Sequence, residues 1–146
     1  MNLSQHFTLE ELIFSQTAAR RGFDNTPDEG QIEKLTYLAA RLEEVRTLLG
    51  PLHVNSGYRC PQLNAAVGSR STSQHLKCEA ADLTSLRGLT PLQMCLLVEA
   101  SAVPFDQLIL EFTSWMHISF VQGSVPRSSV LTIDKRGVLP GLVEAI

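Results

Sequence analysis

The chain has 146 residues, the size of one ordinary domain, with 12 basic and 15 acidic side chains and a formal net charge of −3. This balance lacks the basic bias of proteins that bind nucleic-acid backbones, and a hydrophobic fraction of 44% excludes disorder. The sequence contains no apolar run near the ~20 residues that span a bilayer, and it does not begin with the basic-then-apolar pattern of a signal peptide. We therefore expect a single domain over residues 1–146, with no nucleic-acid partner and no membrane span.

The first third of the chain predicts helices. Thr8 followed by Glu11 is a capping-box pattern that marks a helix start, and turn-forming residues follow between Gly22 and Pro27. The clearest helix is predicted over residues 28–49, because apolar side chains recur there near a period of 3.6. The stripe that should anchor the core consists of Ile32, Leu35, Leu38, Ala39, Leu42, Val45, Leu48 and Leu49.

The rest of the chain predicts short strands that alternate with helices. Strands are expected at 52–54, 79–84 and 130–133, helices at 61–67 and 91–101, and a hairpin of strands 105–112 and 115–121 that turns at Thr113 and Ser114. This order of elements predicts an α+β fold in which helices cover a mostly antiparallel sheet.

Three residues have the chemistry of metal ligands. His75 and Asp82 flank a turn that leads into a strand, so both side chains can point at one ion, and His117 has a defined face on its own strand. Two imidazoles and one carboxylate at about 2.0–2.2 Å would leave a fourth position for water, as in catalytic zinc sites. Taken singly, each residue is more often a surface or turn residue, and three coincident polar residues in a plain α+β domain are the weakest alternative.

The wider pattern adds a family resemblance. Ser73-x-His75-x-x-Cys78-x-Ala80-x-Asp82, followed by Trp115-x-His117, resembles the pattern of the zinc D-alanyl-D-alanine peptidases, which include D,D-carboxypeptidases and phage cell-wall endopeptidases. The segment from Ser56 to Asn64 is similar to one in the compact, single-domain branch of that family, and the resemblance covers nearly the whole chain. Hedgehog signalling domains share the metal pattern but do not use it as a peptidase. The implied fold is the hedgehog/DD-peptidase-like α+β fold.

The resemblance implies a role for each matching residue. His75, Asp82 and His117 would bind Zn²⁺, and Arg59 would lie beside it to polarise the scissile carbonyl, unless it is only a surface ion-pair partner. Candidates for substrate contacts are Ser73, Gln74 and Trp115, although a tryptophan on a strand is more often a core residue.

The general base departs from the family pattern. Many members place an acid three residues before the distal histidine, where this chain has Ser114. Glu111, six residues before His117, should come close to it across the predicted hairpin, either paired with Met116 or one register away. We therefore expect Glu111 to activate water and to protonate the leaving amine. The alternatives are a solvent-facing Glu111 and, as a weaker candidate for the base, Asp106.

A second departure is Cys78, which occupies a position where the family usually has glycine. If that position requires a positive φ angle, a cysteine is strained there, and the fold must accommodate it. The alternative is that the thiol approaches the metal as an additional ligand.

The implied function is that of a zinc metallopeptidase acting on peptidoglycan stem or cross-link peptides, as a D,D-carboxypeptidase or an endopeptidase. We expect a monomer, made in the cytoplasm without a signal peptide, that acts at the cell wall as a phage or prophage product or is carried in the virion. The alternative is a catalytically inactive zinc-binding module, such as a component of a phage particle. Cys78 and the missing acid at Ser114 both favour that alternative.

Overall fold

The computed structural model describes residues 1–145 and has the predicted α+β architecture. Six strands form one sheet in the order β1-β2-β4-β3-β5-β6. The elements in chain order are α1 (Leu9–Ile13), α2 (Gln16–Arg21), α3 (Glu29–Leu49), β1 (Leu52–Ser56), α4 (Pro61–Ala66), β2 (Ala80–Ser85), α5 (Pro91–Glu99), β3 (Gln107–Glu111), β4 (Trp115–Ser119), β5 (Ser129–Asp134) and β6 (Gly137–Pro140).

The predicted helix starts and the main apolar stripe are confirmed. Thr8 and Glu11 form the complete capping box of α1, with side chain and backbone bonded in both directions. Six of the eight stripe residues of α3 are buried, namely Leu35, Leu38, Ala39, Leu42, Val45 and Leu49. The other two were wrongly assigned to the core, because Leu48 is 39% exposed and Ile32 is only half-buried at the edge of the stripe.

Two elements were not predicted. Helix α2 has a single buried residue, Ala18, so it shows no apolar period, although Ser15 caps its start and Gly22 ends it with φ +70°. Strand β6 is a mostly exposed edge strand that follows a tight turn, with Gly137 at φ +102°. Both elements are set by local capping and turn chemistry rather than by a hydrophobic pattern.

The sheet is mostly antiparallel, as predicted. Strands β3 and β4 form an antiparallel hairpin, β5 and β6 are also antiparallel, and β3 and β5 are parallel. The hairpin turn has three residues rather than two, so Glu111 lies opposite Trp115, which is the second of the two registers considered from the sequence. Helix α5 packs on β3 and β4, and its buried side chains are Met94, Cys95 and Val98.

The contacts within the chain define two compact units. The first comprises Met1–Glu43 and Ser56–Ala81, and in it the buried Asn25 side chain donates to the carbonyls of Ile13 and Tyr58 and accepts from the backbone N–H of Cys60. The second comprises Glu44–Asn55 and the chain from Asp82 onward. That the whole chain is one domain stays a prediction.

Within the second unit, an ion pair between the buried Asp106 and the exposed Arg127 anchors the segment between β4 and β5. The Asp106 carboxylate is 3% exposed and accepts hydrogen bonds from the backbone N–H and the guanidinium of Arg127 at 2.7–3.0 Å. Asp106 therefore already has a structural partner, which argues against its role as the general base.

Among residues 1–145, no helix is long and apolar enough to cross a membrane. Cys60, Cys78 and Cys95 are buried free thiols.

Candidate metal centre

His75 is presented by the turn-rich segment between α4 and β2 and is 3% exposed. Its Nδ1 donates a 2.7 Å hydrogen bond to the carbonyl oxygen of Gly57, so a metal would be bound through Nε2. The Ser73 hydroxyl accepts a 3.2 Å hydrogen bond from the backbone N–H of His75, and the backbone N–H of Arg59 donates to the His75 carbonyl at 3.2 Å. The ring and the backbone of His75 are thus both held in place.

Gly57 has a role that the sequence analysis missed. A Cβ atom at this position would lie 2.3 Å from the carbonyl oxygen of Leu12, which is too close for any side chain. The same carbonyl accepts a 2.7 Å hydrogen bond from the backbone N–H of Tyr58. The close approach that requires glycine therefore also positions the carbonyl that orients His75. The signal was the glycine in Ser56-Gly-Tyr-Arg59, but its contact with Leu12 is long-range and cannot be derived from spacing.

Asp82 and His117 lie on the neighbouring strands β2 and β4 and are 3% and 6% exposed. The Nδ1 atom of His117 is 2.9 Å from Oδ1 of Asp82 and 3.7 Å from Oε1 of Glu111. One nitrogen of this imidazole therefore faces two carboxylates. Their charges make the electrostatic potential at this position negative, which favours a bound cation.

The three predicted ligands come together. One ligand atom from each of His75, Asp82 and His117 lies within 4.8 Å of the others, and all three residues are buried. Two imidazoles and a carboxylate are the donor set of open, catalytic zinc sites, whereas structural sites are dominated by cysteine. The buried carboxylate and the fixed His75 ring fit a bound cation, so this group is a possible metal site.

Glu111 ends strand β3 and lies on the same face of the hairpin as His117. The register pairs Glu111 with Trp115 and Ile109 with His117, which makes Glu111 and His117 diagonal neighbours. The Glu111 side chain is 22% exposed, so it can exchange protons with a substrate or with water. The hairpin spacing thus predicted the proximity of these two residues; the role of Glu111 as a base stays a prediction.

Compared with known protein families, the chain matches the one described as Peptidase M15 over residues 5–119, well over half its length. The chain belongs to the peptidase M15 family. The match includes all three residues of the metal group, and the family resemblance seen in the sequence is confirmed. M15 peptidases are zinc-dependent, so family and geometry together indicate a metallopeptidase. No curated protein matches the chain.

Of the remaining residues expected at the M15 site, Arg59 and Gln74 are held by internal hydrogen bonds. The Nε–H of Arg59 donates to the Ser56 hydroxyl at 3.1 Å. The Gln74 side-chain amide donates to the Glu79 carboxylate at 3.2 Å, and the backbone carbonyl of Gln74 accepts from two backbone N–H groups, so Gln74 shapes the turn that carries His75. The indole N–H of Trp115 is buried and has no acceptor among residues 1–145. Contacts of these side chains with substrate stay predictions.

Cys78, which stands where other M15 members usually have glycine, takes the left-handed conformation that favours glycine. Its φ angle is +60°, and the residue is 2% exposed. Burial raises the pKa of the thiol to about 11, so the group is neutral at physiological pH. Within residues 1–145, the metal group consists of His75, Asp82 and His117 and does not include this thiol. Of the two possibilities considered from the sequence, accommodation in a strained turn is the one that the structure displays.

Substitution of Cys78 should separate strain from packing. We expect Cys78→Val to lower the free energy of unfolding by about 2–3 kcal/mol, because a β-branched residue is a severe outlier at positive φ. Cys78→Gly should change it by less than about 1 kcal/mol, since relief of strain offsets the lost sulfur contacts. Urea denaturation measures both, with Cys95→Val in the regular helix α5 as the matched control. Equal stability of the valine and glycine variants at position 78 would contradict the interpretation.

Proposed function

We propose that the protein is a zinc-dependent peptidase that hydrolyses peptidoglycan stem or cross-link peptides, as a D,D-carboxypeptidase or an endopeptidase. The observation that carries the proposal is the buried group of His75, Asp82 and His117 with Glu111 3.7 Å from His117, in a chain of the M15 family. A bound zinc ion would supply a Lewis acid that polarises the scissile carbonyl and lowers the pKa of a coordinated water molecule.

Glu111 serves as the proton carrier in this proposal. Its carboxylate is adjacent to His117 yet 22% exposed, so it can accept a proton from the attacking water and donate it to the leaving amine. Ser114, which occupies the position of the usual family acid, lacks a carboxylate, so Glu111 takes over that task from the opposite strand of the hairpin.

Arg59 stabilises the negative charge that develops on the carbonyl oxygen. Its backbone is bonded to the His75 carbonyl and its Nε to Ser56, and a guanidinium held in this way needs little reorganisation when charge develops. Ser73 and Gln74 directly precede His75, and Trp115 lies opposite Glu111, so we propose these three as the substrate-contacting residues.

The place of action follows from the same family resemblance. We propose that the protein acts as a monomer at the bacterial cell wall, as a phage or prophage product or as part of a virion. The support for this is the similarity of the motif to phage cell-wall endopeptidases.

Digestion of purified peptidoglycan and of peptides ending in D-Ala-D-Ala tests the proposal. The zinc-loaded protein should release either free D-alanine or un-cross-linked monomers, and mass spectrometry of the products distinguishes carboxypeptidase from endopeptidase activity. Protein stripped of metal by a chelator is the control and should be inactive. If fully zinc-loaded protein leaves both substrates uncut, the inactive zinc-binding module becomes the better description.

A further inference from the structure

A cavity lies at the end of the sheet, and its lining begins one residue along the chain from the candidate base. A cavity of about 250 Å³ is formed where the β3–β4 turn meets the β5–β6 turn, and it is lined by Phe112, Thr113, Asp134, Lys135, Arg136 and Ala145. Sites for drug-sized ligands begin at about 300 Å³, so this volume suits a smaller group such as one amino-acid residue. The lining starts at the residue that follows Glu111, and the backbone N–H of Phe112 is bonded to the carbonyl of Ile133 at 2.7 Å.

Phe112 is not explained by folding. Phe112 and Thr113 have φ angles of +50° and +52° in a hairpin turn, where asparagine and glycine are strongly preferred. A bulky residue in this conformation is strained, and the Phe112 ring is 52% exposed, so it contributes little to the core. The turn requires a positive φ angle at this position but not an aromatic side chain, and a strained residue that folding does not require is typical of binding sites.

The turn that holds Phe112 is nevertheless well ordered by its neighbours. The hydroxyls of Thr113 and Ser114 both donate to the Phe112 carbonyl, at 2.6 and 3.0 Å. The backbone N–H of Ser114 donates to the carbonyl of Glu111 at 2.9 Å. The ring is therefore presented to the cavity from a fixed backbone, which lowers the entropy lost when a ligand binds.

The charges of the cavity favour an anion. The Arg136 guanidinium is paired with Asp134 at 2.5 Å and also donates to the Glu144 carbonyl at 3.1 Å. Hydrogen bonding to Arg136 lowers the pKa of Asp134 to about 2, so the two groups neutralise each other at physiological pH. Lys135 is exposed, and within the described part of the chain its ammonium forms no ion pair. The cavity thus has one cation in excess of its acidic groups.

We propose that this cavity binds a carboxylate-bearing residue of the substrate peptide, with the Phe112 ring against the apolar part and the Lys135 ammonium paired with the carboxylate. The identity of the ligand as a peptide rests on the proposed function. Because the cavity begins directly after Glu111, the bound residue would help to fix the position of the peptide relative to the reacting bond.

The substitutions that test the cavity can be chosen so that they do not disturb the fold. Phe112→Asn removes the ring and places a residue that tolerates positive φ in the turn, so it should raise the free energy of unfolding while it weakens binding. Lys135→Gln removes the charge from an exposed side chain. Phe14→Asn and Lys34→Gln are matched controls, since Phe14 is 62% exposed and Lys34 is exposed on α3, both outside the cavity.

Binding is measured by calorimetry on zinc-loaded protein that carries Glu111→Gln, which prevents turnover. The probe is the peptide N-acetyl-L-Ala-γ-D-Glu-L-Lys-D-Ala-D-Ala, together with two versions in which either the D-Glu carboxylate or the C-terminal carboxylate is amidated. We expect Phe112→Asn to raise the Kd about tenfold and Lys135→Gln to raise it about fivefold, with both controls within about twofold. The carboxylate that pairs with Lys135 is the one whose amidation makes Lys135→Gln silent.

The outcomes separate this inference from the proposed function. If wild-type protein hydrolyses the peptide but neither cavity substitution changes the Kd, the cavity proposal is overturned and the peptidase stands. If binding depends on Phe112 and Lys135 but no peptide is cut, the peptidase proposal fails and the cavity stands. Dependence on Phe112 with no effect of Lys135→Gln overturns the assignment of a carboxylate and indicates that an uncharged part of the peptide packs against the ring.

Discussion

Glu111→Gln should lower kcat/KM for peptides ending in D-Ala-D-Ala by about 10²–10⁴-fold while the protein retains its metal. The amide preserves the size and the hydrogen-bonding reach of the side chain but cannot accept a proton at neutral pH. Glu111 is placed for this task by the hairpin, since it lies diagonally from His117 with 3.7 Å between its Oε1 and the imidazole Nδ1. The three residues of the metal group are untouched by the substitution, so metal content should be unchanged.

Steady-state kinetics with elemental analysis of the same samples measures this effect. Glu99→Gln, on the exposed side of α5, is the matched control and should retain wild-type activity. If Glu111→Gln keeps full activity at full metal occupancy, Glu111 is not the general base. Asp106 could not easily replace Glu111 as the base. The Asp106 carboxylate already accepts hydrogen bonds from the backbone N–H and the guanidinium of Arg127.

The elements with strong local signals were predictable from the sequence. The capping box of Thr8 and Glu11 and the 3.6-residue period of α3 each reflect interactions within a few residues, and both are present as expected. The missed elements, α2 and β6, bury almost no apolar surface of their own. A short helix with one buried alanine and an exposed edge strand leave no periodic pattern to read.

For the candidate site, the sequence predicted the metal ligands but not the hairpin register or the contacts that support the site. The motif predicted which three side chains come together: the turn and the returning strand constrain His75 and Asp82 locally, whereas His117 was assigned through the family resemblance. The sequence left the register of the hairpin open, since a turn of either two or three residues was compatible with it. The structure has a three-residue turn over Phe112–Ser114. The support of His75 by Gly57 depends on the approach of Leu12, and the cavity at Phe112 depends on the β5–β6 turn. Such contacts between distant segments follow from the three-dimensional fold alone.

Cys78 illustrates how a departure from a family pattern can be interpreted before the structure is known. The glycine usual at this position raised the question of whether a positive φ angle is required here, and the observed value of +60° answers it. Whether the thiol would turn towards the metal depended on side-chain packing, which spacing does not encode. In the structure the thiol is buried, which raises its pKa to about 11, and among residues 1–145 the metal group consists of His75, Asp82 and His117 without this sulfur.

Removal of one ligand should abolish metal binding and the stability that the metal confers. We expect His75→Ala to reduce the zinc content after dialysis from about one ion per chain to near zero. Zinc at a thousand times its Kd should raise the free energy of unfolding of the wild type by about 4 kcal/mol, and this increase should vanish in the variant. Without metal, the variant should lose only about 1–3 kcal/mol, because the Gly57 carbonyl loses its partner Nδ1–H.

Comparison of zinc-loaded and metal-stripped protein isolates the effect of the metal from the effect of the lost hydrogen bond. Chemical denaturation with and without zinc gives both free energies, and elemental analysis gives the stoichiometry. His53→Ala is the matched control, since His53 is an exposed histidine on β1 outside the metal group and should leave both quantities unchanged. Stoichiometric zinc in His75→Ala would place the metal elsewhere. If His75→Ala loses its zinc and His53→Ala retains it fully, the stabilisation comes from a metal bound by His75, with Asp82 and His117 as the other two ligands.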